Sequence, residues 1–143
     1  MDPLPGPLLP PEALPGGWSR DSGVVLETDG RFTVRGEPVV NEGIDATFRA
    51  WLDRHADGRW ILVNRTDPRN WAWLEVKGAP LHARRATVEG GRATLELLGG
   101  ERLPLDRKTL REKDEGLFAV DPRGWDIRLS AQAALDLADW LAS

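Results

Sequence analysis

Few residues in this chain have the chemistry of a reactive site. There are two histidines, His55 and His82, and no cysteine. His55 stands between Asp53 and Asp57, a trio able in principle to ligate a metal, but without the His-Glu-x-x-His spacing of a helical zinc site. A histidine near a helix end is the plainer reading, and Asp53, four residues after Arg49, reads as a helix ion pair. Asp114 and Glu115 precede Gly116 in a charged turn; acid–base work would need a pocket and displaced pKa values around them. Ser19, Ser22, Ser130 and Ser143 occupy no Gly-x-Ser-x-Gly elbow, and the glycine pairs lack the lysine of a phosphate loop. Without cysteine there are no disulfides, thiolate nucleophiles or sulfur-ligated metals. These residues point away from an enzyme, and toward neither a metal site nor a cofactor.

The aromatic residues point to binding. The chain has seven tryptophans, three phenylalanines and no tyrosine. A buried aromatic covers about 150–250 Å², so Trp51, Trp60, Trp125 and Trp140 are assigned to filling the core. Trp71 and Trp73 differ. Along Trp71–Val76, period-two alternation places Ala72, Leu74 and Val76 on one face and Trp71, Trp73 and Glu75 on the other. A buried, unpaired Glu75 would be costly, so this second face is expected to be partly wet and its two indoles to form a binding surface. Replacing them should then cost well under the ~3–5 kcal/mol of a truncated core aromatic. Arg84 and Arg85, on the following strand, would offer charge to an acidic or planar ligand. The expected ligand-binding set is therefore Trp71, Trp73, Arg84 and Arg85. Two other uses of the same face are a single-stranded nucleic-acid platform, with Arg65 and Arg69 joining the basic strip, and a protein or homodimer interface. A net charge of -4 and a pI near 5.2 count against nucleic acid.

The elements that must position these residues are legible as turns and periodicities. Residues 1–17 hold six prolines and read as an extended tail. Val24–Thr28 and Arg31–Arg35 flank Asp29-Gly30, a two-residue hairpin signal; Gly36-Glu37-Pro38 turns again, and Asn41 is a good N-cap. Ile44, Phe48, Trp51, Leu52 and His55 then mark one face of a helix ending near Asp57-Gly58. The Trp60–Val76 hairpin follows. The second half repeats the plan: Arg85–Glu89 and Arg92–Leu97 flank Gly90-Gly91, Asp106 caps a short helix containing Leu110, and Leu117–Val120 and Trp125–Leu129 flank Asp121-Pro122-Arg123-Gly124. Ser130 caps a last helix with Ala134, Leu137, Ala138 and Leu141 inward. Asp67-Pro68-Arg69-Asn70-Trp71 and Asp121-Pro122-Arg123-Gly124-Trp125 share words, which places Trp71 and Trp125 at equivalent positions of a duplicated unit. The expected fold is α+β, with two related hairpin–helix–hairpin halves, antiparallel sheets and a C-terminal helix. Its expected parts are the tail 1–17, a first half 18–80 and a second half 81–143. No apolar run approaches the ~20 residues of a membrane span, and no basic-then-apolar leader is read, so the cytoplasm is the expected location.

Residues 10–80 resemble the bacterial family called domain of unknown function 1285. The resemblance runs from Pro10-Pro11 through Trp18 and Ser22-Gly23 to Asp29-Gly30-Arg31-Phe32 and Gly36-Glu37-Pro38-Val39. It continues with Phe48 and Leu52, Asp57-Gly58 and the strand to Val63, and closes at Val76–Pro80. The second half fits more loosely. The resemblance implies a mixed α/β protein with repeated motifs and a role in ligand binding or signal transduction, and it carries over no catalytic residue.

Overall fold

The computed structural model describes residues 20–143. The proline-rich tail, with Trp18 and the Pro10-Pro11 start of the resemblance, lies outside the described residues. The chain divides into two compact units after Lys77.

The first unit contains β1 (Asp21–Leu26), β2 (Phe32–Val34), β3 (Glu37–Pro38), α1 (Glu42–Trp51), β4 (Leu52–Arg54), β5 (Trp60–Val63) and β6 (Trp71–Val76). The second contains β7 (Leu81–Glu89), β8 (Arg92–Leu97), β9 (Arg102–Pro104), a 3₁₀ turn (Arg107–Thr109), β10 (Arg111–Lys113), β11 (Gly116–Val120) and β12 (Asp126–Leu129). It ends in α2 (Ala131–Asp136) and α3 (Ala138–Ala142). The sheet orders are β3-β2-β1-β6-β5-β4 and β10-β11-β12-β7-β8-β9, the same plan read from opposite ends. Two three-stranded meanders are joined through a helical crossover, α1 in one unit and the 3₁₀ turn in the other. The crossover brings each unit's first and last strands together in parallel. The sheets are thus mixed, where antiparallel pairing alone was expected.

The turn chemistry accounts for the meanders. Glu89 pairs with Arg92 across Gly90-Gly91, whose φ values of 58° and 79° suit the two-residue hairpin turn. The Asp29-Gly30 turn is one residue longer: Glu27 donates to Arg31 and Gly30 to Glu27, with Gly30 at φ 89°. Asn41, Asp106 and Ser130 each cap as expected, their side-chain oxygens accepting from the amides of Ile44, Lys108 and Ala133.

Three expectations about the helices need correction. The helix from Asn41 ends at Trp51, because Leu52, Asp53 and Arg54 leave it as β4 and pair with Leu62, Ile61 and Trp60. Asp53 consequently is not the partner of Arg49, which instead holds Asp45 one turn earlier at 2.8 Å. Asp53 is 4% exposed and takes Arg65 at 2.7 Å, while Arg65 also donates to the carbonyls of Ala50 and Leu52 that α1 leaves free. The last helix is also interrupted at Leu137, and its buried face carries Ala133 and Leu137, with Trp140 and Leu141 packed beside them.

Each unit has its own core. In the first, α1 covers the face carrying Val24, Leu26, Phe32, Leu62 and Leu74, and Phe48 meets Phe32 edge-on at 5.4 Å. In the second, Leu95, Ile127, Leu129 and Leu137 are central. There Asp136 ties α2 to β7: its carboxylate accepts from Arg85 at 2.8 Å, from the Ala86 amide at 3.0 Å and from Gln132 at 3.1 Å. The Arg85 hydrogen bond, then the Ala86 amide, hold this carboxyl well below the ordinary carboxylate range. A depressed folded-state pKa contributes stability above the unfolded value of about 4, which is lost as pH falls toward the folded one. Asp136→Asn should therefore be less stable than wild type at pH 7, and the gap should narrow below about pH 4. Paired urea titrations at pH 7 and pH 3 measure this.

Candidate functional site

Two features of the first unit lie on opposite faces of its sheet. The first is built on Trp71 and Trp73, which face Val63 and Ile61 across β5 and stand edge-on to each other at 4.7 Å. The His55 ring lies 5.3 Å from both indoles. It is brought there by the turn after β4, where His55 donates to the Arg59 carbonyl and Gly58 to the His55 carbonyl. The Arg20 guanidinium lies 4.2 Å over Trp71 and that of Arg59 lies 3.6 Å over Trp73. Arg59 also holds Asp57 at 2.7 Å, and its hydrogen bond is the main reason the Asp57 carboxyl is drawn down to about 2. The Asp57 amide donates to His55 Nδ1, so this nitrogen closes a turn. With Asp53 committed to Arg65, the His55 trio does not converge. Among the described residues, no three histidine or acidic side chains are grouped to hold a metal.

This face is drier than alternation suggests. Trp71 is 3% exposed and forms a cluster with Ile61 and Val63, with half-buried Trp73 against it; Glu75 is exposed at the far end of the strand. Ile61, Leu62 and Val63 are all buried, so both faces of β5 are covered. The structure groups Trp71 with Trp73 but places Arg84 and Arg85 in the second unit, paired with Glu96 at 2.7 Å and Asp136 at 2.8 Å. Arg65 holds Asp53, and Arg69 lies 3.5 Å from Asp67. Every arginine of the expected basic strip thus has a carboxylate beside it, which leaves little free charge for a phosphate backbone.

The second feature is a cleft of about 280 Å³ beneath α1. Its apolar walls are Val24, Val34, Phe48, Trp51, Leu62 and Ala72, and Ser22, Asn70 and Trp71 also border it. The cleft has a local cause. Phe48 and Trp51 are bulky, but they stand over short Val24, Val34 and Ala72, and α1 buries none of its residues fully. Its apolar stripe even begins in solvent, with Ile44 exposed. Sequence reasoning missed this site. The available signal was a capped, strongly amphipathic helix facing a strand that offers only Ala72 beneath Phe48 and Trp51.

Two solved structures share this fold, both of DUF1285 family proteins. The one from Shewanella baltica has a TM-score of 0.65 at 16% sequence identity, over 85% of this chain and 94% of its own. The one from Silicibacter pomeroyi has a TM-score of 0.68 at 17% identity, over 83% of this chain and 69% of its own. Both support the resemblance read from the first half of the sequence, and extend the likeness of fold to most of the chain. No family model and no curated protein matches the sequence. Among the described residues, no helix is long and apolar enough to cross a membrane.

Proposed function

We propose that the chain is a cytoplasmic, non-enzymatic module that binds a small ligand and serves a regulatory or signalling role, with the cleft beneath α1 as its site. One observation carries this reading. A capped helix holds Phe48 and Trp51 over the sheet without burying any of its residues fully, leaving an apolar space with Ser22 and Asn70 at its border. Small-molecule sites have this composition, apolar walls with a few polar groups that orient the ligand. At about 280 Å³ the space lies near the lower end of the usual range, which suits a small, mostly apolar molecule with a hydrogen-bonding end. A ligand seated there would fix α1 against β5 and β6, giving occupancy a structural readout.

The test uses 1-anilinonaphthalene-8-sulfonate as a probe of the cleft. Its fluorescence should rise saturably with wild type, and Ala72→Leu, which fills the floor, should reduce that response at least tenfold while retaining a cooperative melt. An equal response from both proteins would place the dye elsewhere and remove the cleft as the site.

A further inference from the structure

A second site lies on the Trp71 side of the sheet and is independent of the cleft reading. Arg20 is 2% exposed, yet none of the described carboxylates pairs with it. Its Nη1 donates to the carbonyls of Trp71 and, at 3.2 Å, of Arg69. Among the described residues, Nε and Nη2 have no hydrogen-bond partner, and neither has Nε1 of Trp71, the indole over which the guanidinium lies. The unpartnered edge matters because Nε–H and one Nη2–H run parallel. They form the side-on fork that matches the two oxygens of a carboxylate. A buried cation with such an edge unpaired is costly, and buried donors in folded proteins are overwhelmingly satisfied.

We infer that the Nε/Nη2 edge of Arg20, together with the Trp71 indole N–H, forms a carboxylate-binding site. Charge selects the ligand class. One buried guanidinium is neutralised by one carboxylate, whereas a phosphate dianion would bring in an unmatched negative charge. The stacked indole holds the guanidinium plane, so the fork is preorganised before an acceptor arrives. Burial also pushes the Arg20 pKa down from its ordinary value, as expected of a cation without a counter-charge.

The carboxylate has two sources, a free carboxylic acid or the chain itself, whose acidic residues ahead of Arg20 are Asp2 and Glu12. The experiment follows the Trp71 indole N–H and the Arg20 Nε–H by NMR in the full chain, titrating sodium acetate against sodium chloride at constant ionic strength. Acetate should shift both resonances saturably. Trp71→Phe should weaken the response about tenfold through loss of one charge-assisted hydrogen bond, and Arg20→Lys, which keeps the charge but loses the fork, should abolish saturation. Should Arg20→Lys fail to fold, the Trp71→Phe titration still decides. Tighter acetate binding in the Asp2→Asn, Glu12→Gln double variant would identify the chain's own carboxylate as the occupant; unchanged binding would assign a free acid. The inference is overturned by shifts equal to those with chloride (an adventitious ion only), by tighter binding of inorganic phosphate, or by no saturation in either wild type or the double variant.

Discussion

Trp71→Ala should destabilise the protein by about 3–5 kcal/mol, the range for truncating a buried aromatic. The indole is 3% exposed, packs with Ile61 and Val63, and supports the Arg20 guanidinium on its face. Its removal would leave both a cavity and a buried cation without its stacking surface. Trp73→Ala should cost less, about 1–2 kcal/mol, because that ring is only half-buried and Arg59 covers its outer face. Urea denaturation of the two single variants gives the comparison. Losses below about 1 kcal/mol for both would return the pair to the solvent-facing surface expected from alternation.

Trp71 is nevertheless buried where alternation pointed to a partly wet face, and the reason is identifiable. Period-two alternation tells which residues share a face; it does not tell whether a face is covered. Ala72, Leu74 and Val76 do lie opposite Trp71 and Trp73, as the pattern requires, and Glu75 is exposed. The neighbouring strand carried the missing information: Ile61-Leu62-Val63 is a continuous apolar run, the mark of a strand buried on both sides, and all three residues are buried. The helix boundary failed differently. Leu52 and His55 continue the apolar spacing of Ile44, Phe48 and Trp51, so periodicity cannot separate the last turn of a helix from the first residues of β4. What ends α1 is tertiary: the pairing of Leu52 with Leu62 and the Arg65 side chain on the carbonyls of Ala50 and Leu52. Arg20 had no signal at all, since a single arginine after a tail announces neither its burial nor its lack of a partner.

Features set by a few adjacent residues were the most legible, although the Asp29-Gly30 turn is one residue longer than a two-residue signal implies. The Gly90-Gly91 turn and the caps at Asn41, Asp106 and Ser130 depend on a few adjacent residues and need no knowledge of the rest. The duplication was also legible, because a meander–helix–meander plan written twice leaves two similar successions of turns, and both sheets carry the same strand order. Its finer register was not. The first shared turn closes with Asn64 donating to Asn70, the second with Asp121 donating to Trp125. Counted from these closing pairs, Trp125 stands where Asn70 does, one residue before the counterpart of Trp71. A one-residue shift reverses the face of a strand residue, so the repeated Asp-Pro-Arg words do not make the two tryptophans equivalent.

The same pair of turns separates two aspartates that look alike in sequence, and Asp121→Ala should cost about 3 kcal/mol while Asp67→Ala costs about 0.5 or less. The Asp121 side chain is 2% exposed. One carboxylate oxygen accepts from the amides of Arg123 and Trp125 at 2.9 Å each, and the other takes Arg123 Nε at 2.7 Å. Arg123 in turn stacks 3.6 Å over the buried Trp125 indole. Removing the carboxylate would take the shared acceptor from two amides of a tight turn and a 2.7 Å ion pair from the mostly buried Arg123 guanidinium. Asp67, by contrast, is 52% exposed and faces an 81% exposed Arg69 at 3.5 Å, a pair that water and salt screen almost entirely. Asp121→Asn should recover part of the loss, since its amide oxygen can still accept from the two backbone N–H groups but carries no charge for Arg123. Thermal and urea unfolding of the three variants would measure the difference, and equal costs for Asp67→Ala and Asp121→Ala would show that the turn is held by its Pro and Gly residues and not by the buried carboxylate.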